Sequence, residues 1–493
     1  MTIANKTKYK GVDEMGKIDN KTNANFEQTV NPFGIRDKAG YLFGDLGNDF
    51  AFMFTSMYLM VFYTKVLGID ASLVGLLFLI ARFIDACTDI AMGTVIDKSN
   101  PSKDGKFRPW IKKMSGPLAL MTFLMYQSSL ASAPMTFKII FMFITYILWG
   151  SVFYTAINIP YGSMTSAITE VPEERATLST WRNMGASIAS IVIGSITPFI
   201  IYYTDANGNQ IVDPDKFTMI AGIFSLLSFI FYMLCYKLTT ERVKFDIDNS
   251  IDNKKEEKVS IFKNLSIVLK NKALLALIAS SITMLLSMFM GQSMNQYLFL
   301  DYFKDISALS TLSLVGLPIG LMVATIIVKL SSKYGKKEVS AIGMFIAGGA
   351  YLVGYILKFD NPWYFIVMYA ISQIGLSFCN MLTYANISDI SDYHEILTGK
   401  REDGVIYGLY SFARKIGQAL AGGLGGFALS LIGYNSMVSI QTTEVTNGIY
   451  TLSTLFPAIC YIATGLIFVF GYPLTKKMVE ENSKKLSEMR KTK

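Results

Sequence analysis

Asp85 and Asp89 lie four residues apart in an apolar stretch, 71–96, that also carries Arg82. Residues four apart share one face of a helix, so a helix here presents both carboxylates together. If the stretch spans lipid, each ionised group costs about 2.5–3.5 kcal/mol on insertion scales, and such groups are usually functional. Two acids beside one base leave a carboxylate for some other cation. The alternative is a structural ion pair with Arg82. A pair this close titrates as a unit, so a proton and a sodium ion can compete for it.

Other polar groups interrupt other apolar stretches. Asp49 sits in Gly44-Asp-Leu-Gly-Asn-Asp-Phe50. Tyr154, Thr155 and Asn158 sit in Tyr154-Thr-Ala-Ile-Asn-Ile-Pro-Tyr-Gly-Ser163, with Tyr154 and Asn158 on one face by spacing. Arg182 and Lys415 each lie within a later stretch. Acids, an arginine, an amide and phenols suit a hydroxyl-rich solute. Sugar hydroxyls need bidentate donors and acceptors, and aromatic faces cover the apolar side of the ring. Singly, each residue has a structural alternative. Asn158 before Pro160 can satisfy backbone freed by the proline. Arg182 can partner an acid on another helix, and Lys415 beside Arg414 can balance charge.

The elements that must position these groups are membrane-spanning helices. The chain has 493 residues, 52% of them hydrophobic and 17% charged, against about 25% charged in soluble domains. Mean hydropathy is +0.38. Apolar runs of about twenty residues recur too often for a water-soluble core. Spans are expected near 41–66, 71–96, 110–131, 137–164, 178–203 and 217–238. A second set is expected near 273–300, 309–330, 339–357, 363–387, 405–432 and 449–471. Basic residues gather in every second connection: Lys98, Lys103, Lys106 and Arg108 in one, Lys333, Lys336 and Lys337 in another. By the positive-inside rule both termini are cytoplasmic, in the cell membrane. The net charge of +8 therefore belongs to loops and is not a nucleic-acid footprint. Cys87, Cys235, Cys379 and Cys460 fall inside apolar stretches without metal spacing, and the single histidine, His394, can form no histidine cluster. Residues 1–34 are polar, so no cleavable signal peptide is expected.

The reading is an all-α polytopic protein of twelve transmembrane helices in two six-helix bundles. Residues 1–39 form a cytoplasmic tail that reads as disordered, and residues 487–493 read the same way. Residues 40–238 form the first bundle and 273–472 the second. Between them, 239–272 is a polar cytoplasmic loop whose 260–268 is weakly amphipathic and able to lie on the membrane surface. A cytoplasmic tail follows at 473–493. Gly93-Thr-Val-Ile-Asp97 with Gly105-Lys-Phe-Arg-Pro-Trp110 echoes Lys329-Leu-Ser-Ser-Lys-Tyr-Gly-Lys-Lys337 at the equivalent place in the second half. Two such halves suggest parallel repeats about an axis normal to the membrane, the major facilitator architecture.

Several ordered motifs carry a closer likeness. They are Gly47-Asn-Asp-Phe-Ala51, Arg82-Phe-Ile-Asp-Ala-Cys-Thr-Asp89, Tyr146-Ile-Leu-Trp-Gly150, Asn158-Ile-Pro-Tyr-Gly-Ser163 and Asp389-Ile-Ser-Asp-Tyr-His-Glu395. Over residues 40–472 the chain resembles the glycoside–pentoside–hexuronide:cation symporters. The resemblance implies a cation site at Asp85 and Asp89, with Thr88 and Thr155 as oxygen ligands. It implies a sugar site at Asp49, Tyr154 and Arg182, with Asn158 where some members have an aspartate. It places Lys415 near the cation site, and Arg82 and Lys415 then balance charge. The asparagine form is similar to the branch that carries pentosides, β-glycosides and glucuronides.

The implied function is secondary active sugar transport coupled to sodium or protons, by alternating access, as a functional monomer among membrane lipids. A transporter-like sugar sensor or a lipid carrier of the same fold is the competing class. A sensor would add a folded cytoplasmic domain, and a lipid carrier would favour an apolar cleft. An enzyme is not expected, and no cofactor beyond the co-transported ion. Gly422-Gly-Leu-Gly-Gly426 suits close helix packing better than phosphate binding.

Overall fold

The computed structural model describes residues 32–206, 209–243, 271–399, 403–438 and 440–491. The charged run at 252–258 and the amphipathic stretch at 260–268 lie outside the described residues. So does the N-terminal tail up to residue 31.

Helices account for nearly all of the rest. The first group is α1 (Ile35–Val61), α2 (Ala71–Lys98), α3 (Arg108–Leu124), α4 (Met135–Ile168), α5 (Pro172–Ile201) and α6 (Pro214–Leu238). The second is α7 (Lys272–Tyr297), α8 (Ile306–Tyr334), α9 (Lys336–Leu357), α10 (Pro362–Thr398), α11 (Asp403–Leu431) and α12 (Thr443–Leu466). A terminal helix, α13 (Lys476–Lys491), follows. Helix starts are written locally: Asp70, Asp213, Asn271, Asp305, Asn361 and Thr442 each accept a backbone N–H of the turn they precede.

Among the described residues, nine helices are long and apolar enough to cross a membrane. α1, α3 and α11 stand at the other expected positions and fall short. α3 has only 17 residues. α1 carries Asp45, Asn48 and Asp49 inward, and α11 carries Arg414, Lys415 and a run of glycines, so their mean hydropathy drops. The groups that dilute α1 and α11 are those that line the interior.

Packing between helices repeats with an offset of six. α1 packs on α5 and α6 as α7 packs on α11 and α12. α3 packs on α4 and α6 as α9 packs on α10 and α12, and α2 on α4 as α8 on α10. Between the groups, α2 meets α11, α5 meets α8 and α1 meets α7. This is the contact pattern of two parallel repeats. The ends of α1 and α7 match in detail. Each runs into a wide π turn, Phe62–Val66 and Leu298–Tyr302. Each turn is followed by a left-handed residue, Gly68 at φ 67° and Lys304 at φ 54°.

The two groups close against each other at that end. Lys65 donates to Asp301 at 2.7 Å, with side chains 7% and 5% exposed. The hydroxyls of Thr64 and Tyr297 lie 2.8 Å apart. A Cβ on Gly75 of α2 would sit 2.6 Å from the Gly423 carbonyl of α11, and one on Gly426 2.3 Å from the Ala71 carbonyl. Only glycine lets the backbones approach so closely. Toward the opposite end the groups are spaced by cavities lined from both.

Four features depart from the sequence reading. Helix α1 starts at Ile35, so residues 35–39 are helical. Asp37 there is tied to Arg242, beyond α6, at 2.7 Å. A short antiparallel hairpin, β1 (Tyr202–Thr204) with β2 (Gln210–Val212), joins α5 to α6. α10 runs on to Thr398, carrying the Asp389–Glu395 motif on helix beyond the apolar run. Residues 476–491, read as tail, form α13, which packs on α10 and buries Asn482 and Leu486.

Candidate functional site

A cavity of about 580 Å³ lies between α1, α2, α4 and α5 on one side and α11 on the other. Asp49, Arg82, Asp85 and Asp89 line it from α1 and α2. Tyr154, Thr155 and Asn158 line it from α4, Arg182 from α5 and Lys415 from α11. Of the residues singled out in the sequence, Thr88 is the one that does not reach it. Its hydroxyl donates to the Asp85 carbonyl of its own helix at 3.2 Å.

The acids are held by a distortion in the facing helix. α4 widens into a π segment over Leu148–Tyr154, and such segments collect at functional sites. Gly150 in this segment lies beside Asp85, at ordinary contact distance from its Oδ1. Ser151 donates to Asp85 at 2.5 Å and Thr155 donates to Asp89 at 3.0 Å. Ser151 and Thr155 are four apart, as are Asp85 and Asp89, so two hydroxyls on one helix meet two carboxylates on the other in register. Sequence reasoning missed Ser151. Its signal was the spacing to Thr155.

Each acid also has a base. Arg82 donates to Asp85 at 3.2 Å, and Lys415 of α11 pairs with Asp89. Residues 71–96 alone show two acids and one base, and the second half supplies the other base. The pair crosses between the halves, and the Lys415 side chain is 49% exposed. Its ammonium lies against the carboxylate to which Thr155 also donates. Na⁺ is hard and takes oxygen ligands, as its neighbours Mg²⁺ and Ca²⁺ do.

Arg182 of α5 donates through Nε to Asp45 of α1 at 2.9 Å. Asp45 is buried, and it was not singled out beforehand. It precedes Asp49 by four residues, which is the signal that marks the shared face. With Nε so engaged, Arg182 still lines the cavity with a side chain 39% exposed. Asp49 accepts from the Asn48 amide at 3.2 Å. Tyr154 is stacked between Phe52 and Trp149, with centroids 5.5 and 5.6 Å away. Its faces are occupied, so it offers the cavity an edge, and the expectation of a ring face for sugar shifts elsewhere. Phe83 and Phe412, which line the same cavity, are 77% and 56% exposed.

Known proteins resemble this chain over most of its length. Residues 40–476 match the family described as MFS/sugar transport protein. An uncharacterised symporter of Bacillus subtilis (strain 168) is 31% identical over 91% of this chain and 94% of its own length. A putative sulfoquinovose importer of Escherichia coli (strain K12) is 31% identical over 92% and 95%. A glucuronide carrier protein homolog of the same strain is 29% identical over 90% and 94%. Among solved structures, the nucleoside transporter NupG superposes with a TM-score of 0.60 over 88% of this chain and all of its own, at 14% identity. A D-xylose-proton symporter superposes with a TM-score of 0.59 over 90% and 97%, at 14% identity. At that identity the two structures speak for the fold alone.

Proposed function

This chain belongs to the MFS/sugar transport protein family, a family of multi-pass membrane transporters, and from that premise we propose that it is a cation-coupled symporter of an acidic sugar or glycoside. The observation that carries the reading is the Lys415–Asp89 pair, a tethered cation on a carboxylate in a cavity that also holds Arg182. A sodium ion or proton arriving at Asp85 and Asp89 competes with Lys415 for Asp89. When it wins, the link between the halves is released and the charge in the cavity, where three aspartates already face four basic groups, shifts further toward positive, which favours an anionic sugar. Sugar affinity then rises, and by linkage sugar raises cation affinity by the same factor.

The halves rock about this site, exposing it to alternate sides. With both termini cytoplasmic, the sealed end at Lys65 and Asp301 faces outward and the cavities face inward. The membrane potential adds about 2.3 kcal/mol per charge per 100 mV to inward movement of the cation. Two things favour an acidic sugar. Arg182 is oriented through Nε by Asp45, which leaves its terminal nitrogens to hold a carboxylate or sulfonate in bidentate fashion. Two of the relatives bear names that refer to sulfoquinovose and to glucuronides.

A counterflow screen of glycosides, pentosides and hexuronides in vesicles, at varied sodium and pH, tests the reading. Cation-dependent exchange of at least one acidic sugar is expected. Exchange of none of them, with or without sodium, overturns it. Asn158→Asp refines the substrate class. A new anion about 4 Å from a substrate carboxylate repels it by up to about 4 kcal/mol at an effective dielectric of about 20. Glucuronide affinity should therefore fall more than xyloside affinity. If the two fall equally, Asn158 does not adapt the site to acidic sugars.

A further inference from the structure

A second cavity of about 580 Å³ lies in the other half, and the internal repeat relates it to the first. The charged cavity is walled by α1, α2, α4 and α5, with α11 reaching across. Advancing each helix by six gives α7, α8, α10 and α11, with α5 reaching across. Of these, α7, α8, α10 and α5 wall the second cavity. The two cavities are neighbours. On α1, Phe52 faces the first and Met53 the second. On α5, Arg182 faces the first and Ala186, one turn on, the second.

Their chemistry differs sharply. Among the described residues no aspartate, glutamate, lysine or arginine lines the second cavity. It has amides instead. Gln292 and Asn295 are three apart on α7, and Gln373 and Asn380 are seven apart, about two turns, on α10. Asn295 is only 7% exposed, and its side-chain amide has no hydrogen-bond partner among the described residues. The Gln292 Oε1 is likewise buried without a partner. Buried amides left unpaired are costly, and a protein that keeps them at a cavity wall holds them for something that enters the cavity. An amide donates and accepts at once, as a hydroxyl does, and carries no charge to desolvate.

We propose that the C-terminal half holds a charge-free carbohydrate subsite, in which Asn295 and Gln292 face Gln373 and Asn380 and bind the neutral second ring of a glycoside. The ring that bears the acidic group, or that lies nearest the cation, occupies the charged cavity. This rests on the reading of the charged cavity as a sugar site. It deepens that reading by selecting a disaccharide or hydroxylated glycoside over a free monosaccharide.

Calorimetry on the purified full-length protein in sodium tests it with matched pairs of probes: xylobiose with xylose, cellobiose with glucose, and an aldobiouronic acid with glucuronate. In the wild type the disaccharide of the recognised pair binds about tenfold tighter than its monosaccharide, the size of one or two good neutral hydrogen bonds. Asn295→Leu and Asn380→Leu each shrink that gap to about twofold and leave monosaccharide affinity unchanged. Asn380 is exposed to the cavity, so its variant reads the subsite even where the buried change at Asn295 harms folding. A gap that survives in both variants, or a parallel loss for both members of the pair, overturns the subsite while the sugar site stands. Absence of binding by every probe to the wild type overturns the sugar reading itself, and the subsite with it.

Discussion

Lys65 and Lys415 do the same thing in opposite directions. Each reaches from one half of the molecule to an aspartate of the other, Lys65 to Asp301 and Lys415 to Asp89. Their surroundings differ. The first pair is 7% and 5% exposed, at the π turns where α1 and α7 meet. The second is 49% and 17% exposed, on the wall of a cavity. A buried pair cannot trade partners with solvent, because each ion left alone keeps its desolvation cost. An exposed pair trades freely, because water and salt compete with it. The same two residue types thus make a latch in one place and an exchangeable contact in the other, and only burial distinguishes them. The Arg182–Asp45 pair, 39% and 5% exposed, stands between the two and lies within one half.

The largest effect is expected where exchange is the function. Asp89→Asn and Asp85→Asn should each abolish concentrative uptake in vesicles while leaving counterflow of the same sugar. Neither amide can hold a cation against the potential, and the sugar contacts on α1 and α5 remain. Accumulation at the wild-type ratio by either variant would show that the carboxylates are merely structural.

Next is the latch. Lys65→Met leaves Asp301 buried and unpaired, at a cost of about 3–5 kcal/mol, more than a hundredfold on the equilibrium between sealed and parted ends. Spin labels on the exposed Tyr203 and Met437, one on each half, should report longer distances in Lys65→Met. The double variant Lys65→Met with Asp301→Leu should return them to the wild-type distribution, since neither charge remains to be solvated. A single variant with wild-type distances removes the latch from the comparison.

Arg182 tests the intermediate case. Arg182→Lys should weaken binding of an acidic sugar about tenfold or more, because a lysine that reaches Asp45 has no second edge for the substrate. Asp45→Asn should weaken it less, since Arg182 keeps its charge and loses only its orientation. Equal losses in the two would mean that the pair acts as one unit, with no separate sugar contact.

Much of this comparison was legible in the sequence, and its limits have physical causes. Asp85, Asp89 and Arg82 were recognisable because ionised groups in an apolar helix are expensive and a spacing of four puts them on one face. Lys415 was visible as a charge at depth, and only the family resemblance, not α11 itself, put it near Asp85 and Asp89. The contact joins positions 326 residues apart, and nothing in α11 says which helix of the other half it will meet. Asp45 was passed over because Asp49, one turn on, looked equally suitable, and only packing decides which of them Arg182 takes. Ser151 was passed over although it stands four residues before Thr155, because nothing in α4 alone says that this face meets the carboxylates of α2. The latch was the least legible part. Lys65 closes the first expected span, 41–66, and the repeat axis that brings Asp301 to it is a property of both halves together.

The smallest effect is the one that sharpens the comparison most. Lys415→Gln removes a lysine that is about half exposed, so the pair it breaks is worth about 0–1 kcal/mol to the fold. The melting temperature in cation-free buffer should hardly move. Asp89 keeps the hydroxyl of Thr155, and water reaches the place the ammonium leaves. Cation affinity should nevertheless rise by a few fold, since the cation no longer displaces a tethered rival before it binds. The two readouts separate the roles. Sodium affinity by calorimetry and melting by intrinsic fluorescence, taken on Lys415→Gln beside Lys65→Met, should show affinity changing in the first variant and stability in the second. If Lys415→Gln melts as far below the wild type as Lys65→Met does, exposure does not govern these pairs. If its sodium affinity falls, Lys415 helps to build the cation site instead of competing for it, and the exchange step in the coupling scheme would have to be discarded.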